Sequence, residues 1–418
     1  MSVQRTRRLH MIGNAHIDPV WLWQWPEGYQ EVRATFRSAI DRMDEYPEFV
    51  FTCNSVLYLA WVEESDPELF ERIRERVAEG RWEVIGGWWV EPDCNLPHGE
   101  SFVRQALYGQ RWLQEKLGIV ATAGGNVDSF GHAATLPQLL AKAGLESYVF
   151  LRPEPRELEL PGQYFWWESA DGSRVLAYRI PNQYTTPGTD LAALVAPIAE
   201  LTEERPELMM FYGVGNHGGG PTRANLDSIR RLDGEDGLPA LECSSLREFF
   251  ERVREEDGIP TWRDELQHHA VGCYSAHSGV KQWNRRAESL LLRAEKWAAV
   301  ADAAARLRLG ERDQRGPGVA VHGGDRDRRL ADPLVRVLIL LPPSEGKTAP
   351  RRGKPLDLDA LSSPSLAPRR SRSPGPPSRG RSRACSWPTR WATSSAGRTP
   401  STAPSGTAPA TAAATEKA

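Results

Sequence analysis

The 418-residue sequence has no uninterrupted apolar stretch approaching the ~20 residues that a membrane-spanning helix requires. Its N-terminal segment, MSVQRTRRLHMIG, is basic but lacks the sustained apolar run of a secretory leader. Neither sign of charge is in excess. Lys and Arg number 52 against 55 Asp and Glu, a formal net charge of −3, so neither a nucleic acid nor a membrane surface is expected as partner. Cysteines number 5, an odd count without CxxC spacing. That argues against a disulfide framework and for a reducing, cytoplasmic setting. SEGK, residues 344–347, lacks the preceding glycine run of a phosphate-binding loop. Tryptophan, by contrast, is abundant: 15 Trp stand beside 11 Phe and 10 Tyr. Most are expected in the core, and the remainder suit a surface on which sugar rings stack.

The opening stretch LHMIGNAHIDPVWLWQW concentrates the chemistry. Leu9 to Ile12 reads as a strand rising into Gly13-Asn14-Ala15, which then delivers His16, Asp18 and Trp21. Residues i and i+2 of a strand point to one side, so an imidazole and a carboxylate leave the strand end together. Such a pair can hold a divalent metal. Trp21, Trp23 and Trp25 beside it form an aromatic cluster.

Over roughly the first 300 residues, short apolar strands alternate with amphipathic helices. Pro67 to Gly80 carries Leu69, Phe70, Ile73 and Val77 at helical spacing. Arg81 to Val90 reads as a strand, Ser101 to Gly118 as a helix, and Ile119 to Val127 as a strand. Leu136 to Gly144 reads as a helix, and Ser147 to Leu151 and Met209 to Gly215 as strands. A long helix is expected from about Asn284 to Leu309. This alternation predicts parallel strands with crossover helices, in an α/β barrel or a doubly wound sheet. In both, functional groups collect at the C-terminal ends of strands. His16 and Asp18 occupy such an end, and so do Glu91, Asp93 and Asp128. Asp128 follows the tight Gly124-Gly125 pair and supplies a third ligand, through oxygen; alternatively it caps the next helix. A fourth ligand is available from His268-His269, which otherwise reads as a polar loop pair. Two His and two Asp suit zinc, whose mixed shells can keep a position open for substrate.

GNAHIDPVW, GGWWVEPDCN, NVDSFGHAATLPQLL, YGVGNHGGGPT and ELQHHAVGCYSAHSGVKQWNRRAE resemble, in order, the motifs of glycoside hydrolase family 38, the class II α-mannosidases. Bacterial members of cytosolic type look most similar. The resemblance covers roughly residues 9–305. It implies a seven-stranded β/α barrel over 1–282, then the first helix of a helical bundle over 283–309. It implies one zinc ion bound by His16, Asp18, Asp128 and His268, where spacing back from Gly272 favours His268 over His269. Asp128 matches the catalytic nucleophile, Trp21 the aromatic under the mannose ring, and Arg152 a residue near the nucleophile. The expected substrate is a mannose-containing oligosaccharide; a homo-oligomer is left open. A retaining glycosidase needs two carboxyl groups about 5–5.5 Å apart, one attacking C1 and one protonating the departing oxygen. A carboxylate held by a metal stays ionised, as a nucleophile must.

Two departures from the family pattern stand out. Where many relatives carry acidic residues before the glycine run, this chain has Asn216 and His217. His217 is the expected proton donor, with Glu91, Asp93 or a group outside this chain as alternatives, and the HGGGP run also reads simply as a tight turn. Beyond residue 308 the family pattern stops. RVLILLPPSEGKTAPRRGKPLDLDAL, within residues 335–362, resembles the N-terminus of the peroxide-stress-response family and also breaks off. From Ser363 onward there is no Ile, Val, Phe, Met or Tyr, and Glu416 is the only acid. Residues 310–418 are therefore expected to be disordered, with the composition of GC-rich DNA read out of frame. Two other functional readings compete: a metal-dependent carbohydrate deacetylase, and an inactive, truncated mannosidase remnant.

Overall fold

The computed structural model describes residues 7–215, 217–267 and 269–313. The strands in chain order are β1 Arg8–Asn14, β2 Phe51–Cys53, β3 Trp82–Val84, β4 Ala123–Asn126 and β5 Ser147–Phe150. They continue with β6 Tyr164–Glu168, β7 Arg174–Arg179, β8 Glu207–Tyr212, β9 Ala240–Cys243 and β10 Thr261–Trp262. One sheet runs β3-β2-β1-β8, with β9 also pairing β1, and every pairing in it is parallel. The other runs β10-β6-β7-β5-β4 and is parallel except at β6–β7.

Parallel strands covered on both faces should read as continuous apolar runs, and they do: every residue of β5 and β8 is buried. On the outside, helix Trp25–Glu45 buries Val32, Phe36, Ile40 and Met43, a stripe with the 3.6-residue period. Its Phe36 ring meets Trp82 of β3 edge-on, with centroids 4.9 Å apart. Helix Pro67–Ala78 begins at a proline, with Asp66 accepting the Leu69 amide at 3.4 Å. Helix Gly99–Leu117 ends on Gly118, whose φ of 69° only glycine adopts freely.

Strands and helices alternate over most of the chain to residue 262, broken by the consecutive helices Val56–Ser65 and Pro67–Ala78 and by the run β5, β6, β7, so the chain is a mixed α/β protein with largely parallel sheets. Hydrogen-bonded ladders link the described strands as two five-stranded sheets rather than one continuous ring. The sheets meet nonetheless. Gly86 after β3 donates to Ala123 of β4 at 2.7 Å, and the Tyr178 hydroxyl of β7 donates to the Met209 carbonyl of β8 at 2.7 Å.

The strand expected over Arg81 to Val90 is much shorter. It stops at Val84 because Gly86 and Gly87 have φ of 82° and 60°, which no strand accommodates. The chain therefore turns, and residues 88–95 cross towards the end of β4. The long C-terminal helix starts earlier than expected and spans Ser278–Asp313. Arg104 joins it to helix Gly99–Leu117 through Glu295 at 2.7 Å. The expected disorder of 310–418 and the resemblance near 335–362 fall almost wholly outside the described residues.

Candidate metal centre and active site

His16 and Asp18 lie just past β1, on the turn that the strand period predicted. Asn14, the last residue of β1, fastens this turn by donating its side-chain amide to the carbonyls of Tyr184 at 2.9 Å and Tyr212 at 3.2 Å. Two further donors hold the backbone between the ligand candidates: the Tyr58 hydroxyl on Ile17 O at 2.5 Å and the Trp23 indole on Asp18 O at 2.9 Å. Gly215 passes so close that an added Cβ would lie 2.2 Å from Thr185 Cγ2 and 3.1 Å from His16 O. Its glycine identity follows from this approach.

Asp128 arrives two residues after β4, and Gly124 and Gly125 let that strand lie against Tyr148 and Ile85, as their spacing suggested. The His16 Nε2 atom is 3.4 Å from Asp18 Oδ1 and 3.9 Å from Asp128 Oδ2. One ligand atom from each of the three residues lies within 4.8 Å of the others. Helix capping is not what Asp128 does. Its Oδ1 accepts the Tyr184 hydroxyl at 2.8 Å and an Arg152 guanidinium N–H, leaving Oδ2 to face the imidazole. Arg152 in turn lies over the rings of Phe130, 5.2 Å from its centroid, and Tyr184, 5.9 Å from its centroid.

Carboxylates crowd the His16 imidazole. Burial opposes a proton on His16, yet the neighbouring carboxylates of Asp18, Glu91 and Asp128 outweigh it and raise its pKa above the usual value. Its Nε2 is buried and has no hydrogen-bond partner, with Asp18 Oδ1 no nearer than 3.4 Å. An unsatisfied ring nitrogen between two carboxylate oxygens is a donor set that a divalent cation satisfies. The residues present fit such an ion.

Glu91 stands behind the cluster, 13% exposed, and burial pushes its carboxyl above the usual range. One oxygen accepts the Asp128 amide at 3.3 Å; the other takes the Asn54 side-chain amide and lies 3.9 Å from His16 Nδ1. His132, quoted in the sequence without a role, is buried beneath. Its Nε2 lies 3.0 Å from the Arg152 carbonyl, which can only accept, so Nε2 carries the proton and Nδ1 accepts from Tyr148 at 2.9 Å. Burial drops the pKa of His132 to about 3, so it stays neutral and props the loop that carries Arg152.

The remaining sequence candidates are placed as follows. Trp21 is 62% exposed and meets Trp23 edge-on at 5.5 Å. His217 packs against the same group at a tilt of 57°, its ring centroid 4.3 Å from that of Trp23, with Nε2 3.3 Å from Glu27 Oε1. Asp93 uses Oδ1 to accept the amides of Asn95 and Leu96, both at 2.8 Å, and no described contact joins it to the cluster. His268 lies outside the described residues. Leu266, before it in the chain, bridges to His132, and His269, after it, pairs through Nδ1 with Glu157 at 2.8 Å. Tyr184 was not singled out from the sequence, since PNQYTT carries no spacing or charge pattern that marks it.

A largely parallel α/β scaffold with a cation-ready donor set at its strand ends defines the class of protein. Residues 6–265 match the family model described as "Glycosyl hydrolases family 38 N-terminal domain", so the chain belongs to glycosyl hydrolase family 38. It is 34% identical over 289 residues to Alpha-mannosidase 2C1 of Homo sapiens, a match covering 68% of this chain and 28% of that protein. It is 34% identical over 286 residues to Alpha-mannosidase G of Dictyostelium discoideum, covering 67% and 26%. Among solved structures, an alpha-mannosidase from Enterococcus faecalis V583 shares the fold with a TM-score of 0.54 at 21% identity, covering 62% of this chain and 31% of that one. The chain thus spans little more than a quarter of the length of these curated relatives.

Proposed function

We propose that this chain carries the catalytic centre of a retaining α-mannosidase that removes terminal α-mannosyl residues from oligosaccharides. The observation that carries the reading is the buried, unpartnered His16 Nε2 between the carboxylates of Asp18 and Asp128, in a family whose similar members bear α-mannosidase names. In this reading His16, Asp18, Asp128 and His268 hold one zinc ion, which when bound orients the sugar hydroxyls and stabilises developing charge. Asp128 is the nucleophile. Arg152 and Tyr184 hold its Oδ1, so the carboxylate meets the anomeric carbon in one fixed orientation. Trp21 offers an exposed ring for the sugar face, and in the same reading Asp93 and Arg152 are substrate-binding residues. His217 beside Trp23 is the proton donor, its ring oriented by Glu27.

The architecture belongs to the same reading. β1, β2, β3, β4, β5, β7 and β8 form a seven-stranded barrel, supported by the Gly86–Ala123 and Tyr178–Met209 bonds where the two sheets meet. The exposed Trp283 and Trp297 on helix Ser278–Asp313 support its assignment as the start of a helical bundle. We propose a cytoplasmic location, supported by the free thiols of Cys53, Cys94, Cys243 and Cys273. No helix among the described residues is long and apolar enough to cross a membrane.

Hydrolysis of an aryl α-mannoside by the purified chain tests the activity. Dialysis against a chelator is expected to lower turnover at least ~100-fold, and added zinc to restore it. Acetate release from an acetylated sugar, with no mannoside cleavage, supports the metal-dependent deacetylase instead. Zinc bound without turnover of either substrate supports the inactive remnant.

A further inference from the structure

We infer that Glu91 is a positioning residue that locks His16 and Asp128 into one rigid unit, and that it is not the proton donor. The inference deepens the metal-centre reading and rests on it. Four strands successive in the chain contribute. His16 follows β1, Asn54 follows β2, Glu91 lies in the loop after β3, and Asp128 follows β4. Glu91 is where their ends are tied together.

The carboxylate of Glu91 has a defined task for each oxygen. Its Oε1 accepts the backbone amide of Asp128 at 3.3 Å, which sets where the Asp128 side chain leaves the chain. Its Oε2 accepts the Asn54 amide and faces His16 Nδ1 at 3.9 Å. The Glu91 backbone is itself held, its amide donating to Ser55 Oγ at 3.3 Å. Because His16 Nε2 lies 3.4 Å from Asp18 Oδ1 and 3.9 Å from Asp128 Oδ2, a metal held by the three would use the Nε2 lone pair, and the ring proton would sit on Nδ1. Glu91 Oε2 is the carboxylate oxygen facing that proton. A carboxylate on the distal nitrogen of a metal-binding imidazole fixes ring and tautomer together.

A proton donor needs an O–H aimed at the leaving group. Both Glu91 oxygens already face N–H donors, and a carboxyl proton on either would collide with one of them. The turn at Gly86 and Gly87 explains how a residue after β3 reaches this place. It ends the strand after Val84 and turns the chain so that Glu91 passes behind the ligands rather than beside the exposed tryptophans.

Glu91→Gln keeps the shape and one accepting oxygen but presents an N–H where an acceptor is needed. Zinc affinity of the full chain, measured by competition with a chromophoric chelator, is expected to fall ~10–100-fold. The melting temperature of the metal-free protein is expected to stay close to that of the parent. At saturating zinc, hydrolysis of aryl α-mannosides with acidic and with weakly acidic phenols is expected to fall by similar factors. Zinc affinity within twofold of the parent overturns the proposal. So does a rate loss confined to the weakly acidic phenol, which would make Glu91 the proton donor. Asn54→Ser, which loosens Oε2 without touching a ligand, is expected to weaken zinc binding in the same direction by a smaller factor; no change there counts against the proposal. If the parent chain binds zinc and Glu91→Gln weakens it, but neither hydrolyses a mannoside, the positioning role stands and the mannosidase reading fails.

Discussion

Asp128→Asn is expected to leave a folded protein whose kcat/KM on an aryl α-mannoside is lower by on the order of 10⁴-fold or more. The substitution preserves volume, and its Oδ1 can still accept from Tyr184 and Arg152, so the loop after β4 keeps its hydrogen bonds. The side chain is 35% exposed, and the substitution opens no cavity. What changes is the other half of the group. An amide nitrogen replaces Oδ2, the oxygen 3.9 Å from His16 Nε2, and an amide nitrogen neither ligates a cation nor attacks an anomeric carbon. Two losses therefore coincide, of nucleophile and of ligand. Measuring zinc affinity beside the rate separates them: saturating zinc should restore occupancy without restoring turnover. Near-parental turnover would remove Asp128 from the nucleophile role, while a collapsed melting transition would show that its bonds to Tyr184 and Arg152 serve the fold above all.

The parts of this site that were legible in the sequence are those fixed by local geometry. His16 and Asp18 could be paired because a strand repeats every two residues, and Asp128 because two glycines announce a close approach before it. The helix ends at Pro67 and Gly118 were marked by residues whose backbone preferences admit few alternatives. Long-range contacts left no such trace. Tyr184 reaches Asp128 across 56 positions, and Glu91 reaches it across 37. Nothing within either residue's own neighbourhood in sequence states that distance. The hairpin β6–β7 was missed although its turn, Asp171-Gly172 with φ of 81° at the glycine, has the expected chemistry. A single antiparallel pair is easily overlooked in a chain whose other ladders are parallel. Arg81 to Val90 erred in the other direction. Its apolar content reads as one strand, but Trp88 is buried after the turn, with its indole donating to Asn126 at 3.0 Å, so apolarity there reports burial rather than extension.

The second large effect is expected away from the active site, in what keeps β1 in register. His10 is fully buried in the middle of β1, with Nε2 2.8 Å from Glu207 on β8 and Nδ1 2.8 Å from Ser244 beyond β9. Arg252 closes on Glu207 from outside at 2.8 Å. Although burial favours its neutral form, His10 and Arg252 hold the Glu207 carboxyl down at about 2, from an ordinary 4.5. Glu207→Ala leaves a buried imidazole and a guanidinium without their common partner, and should cost about 3–5 kcal/mol at neutral pH. The effect has a definite sign with acid. A folded-state pKa below the unfolded one means the contribution is complete above about pH 4.5 and disappears as pH falls towards 2. The fall from 4.5 to about 2 corresponds to roughly 3 kcal/mol. Urea unfolding should therefore show a wide gap between parent and variant at pH 7 that narrows steadily below pH 4.5. A gap of constant width would mean that Glu207 acts through packing rather than charge. Because His10 and Asn14 lie on the same face of β1, and Asn14 fastens the turn that carries His16, a strand loosened at Glu207 is also expected to bind zinc less tightly before it unfolds.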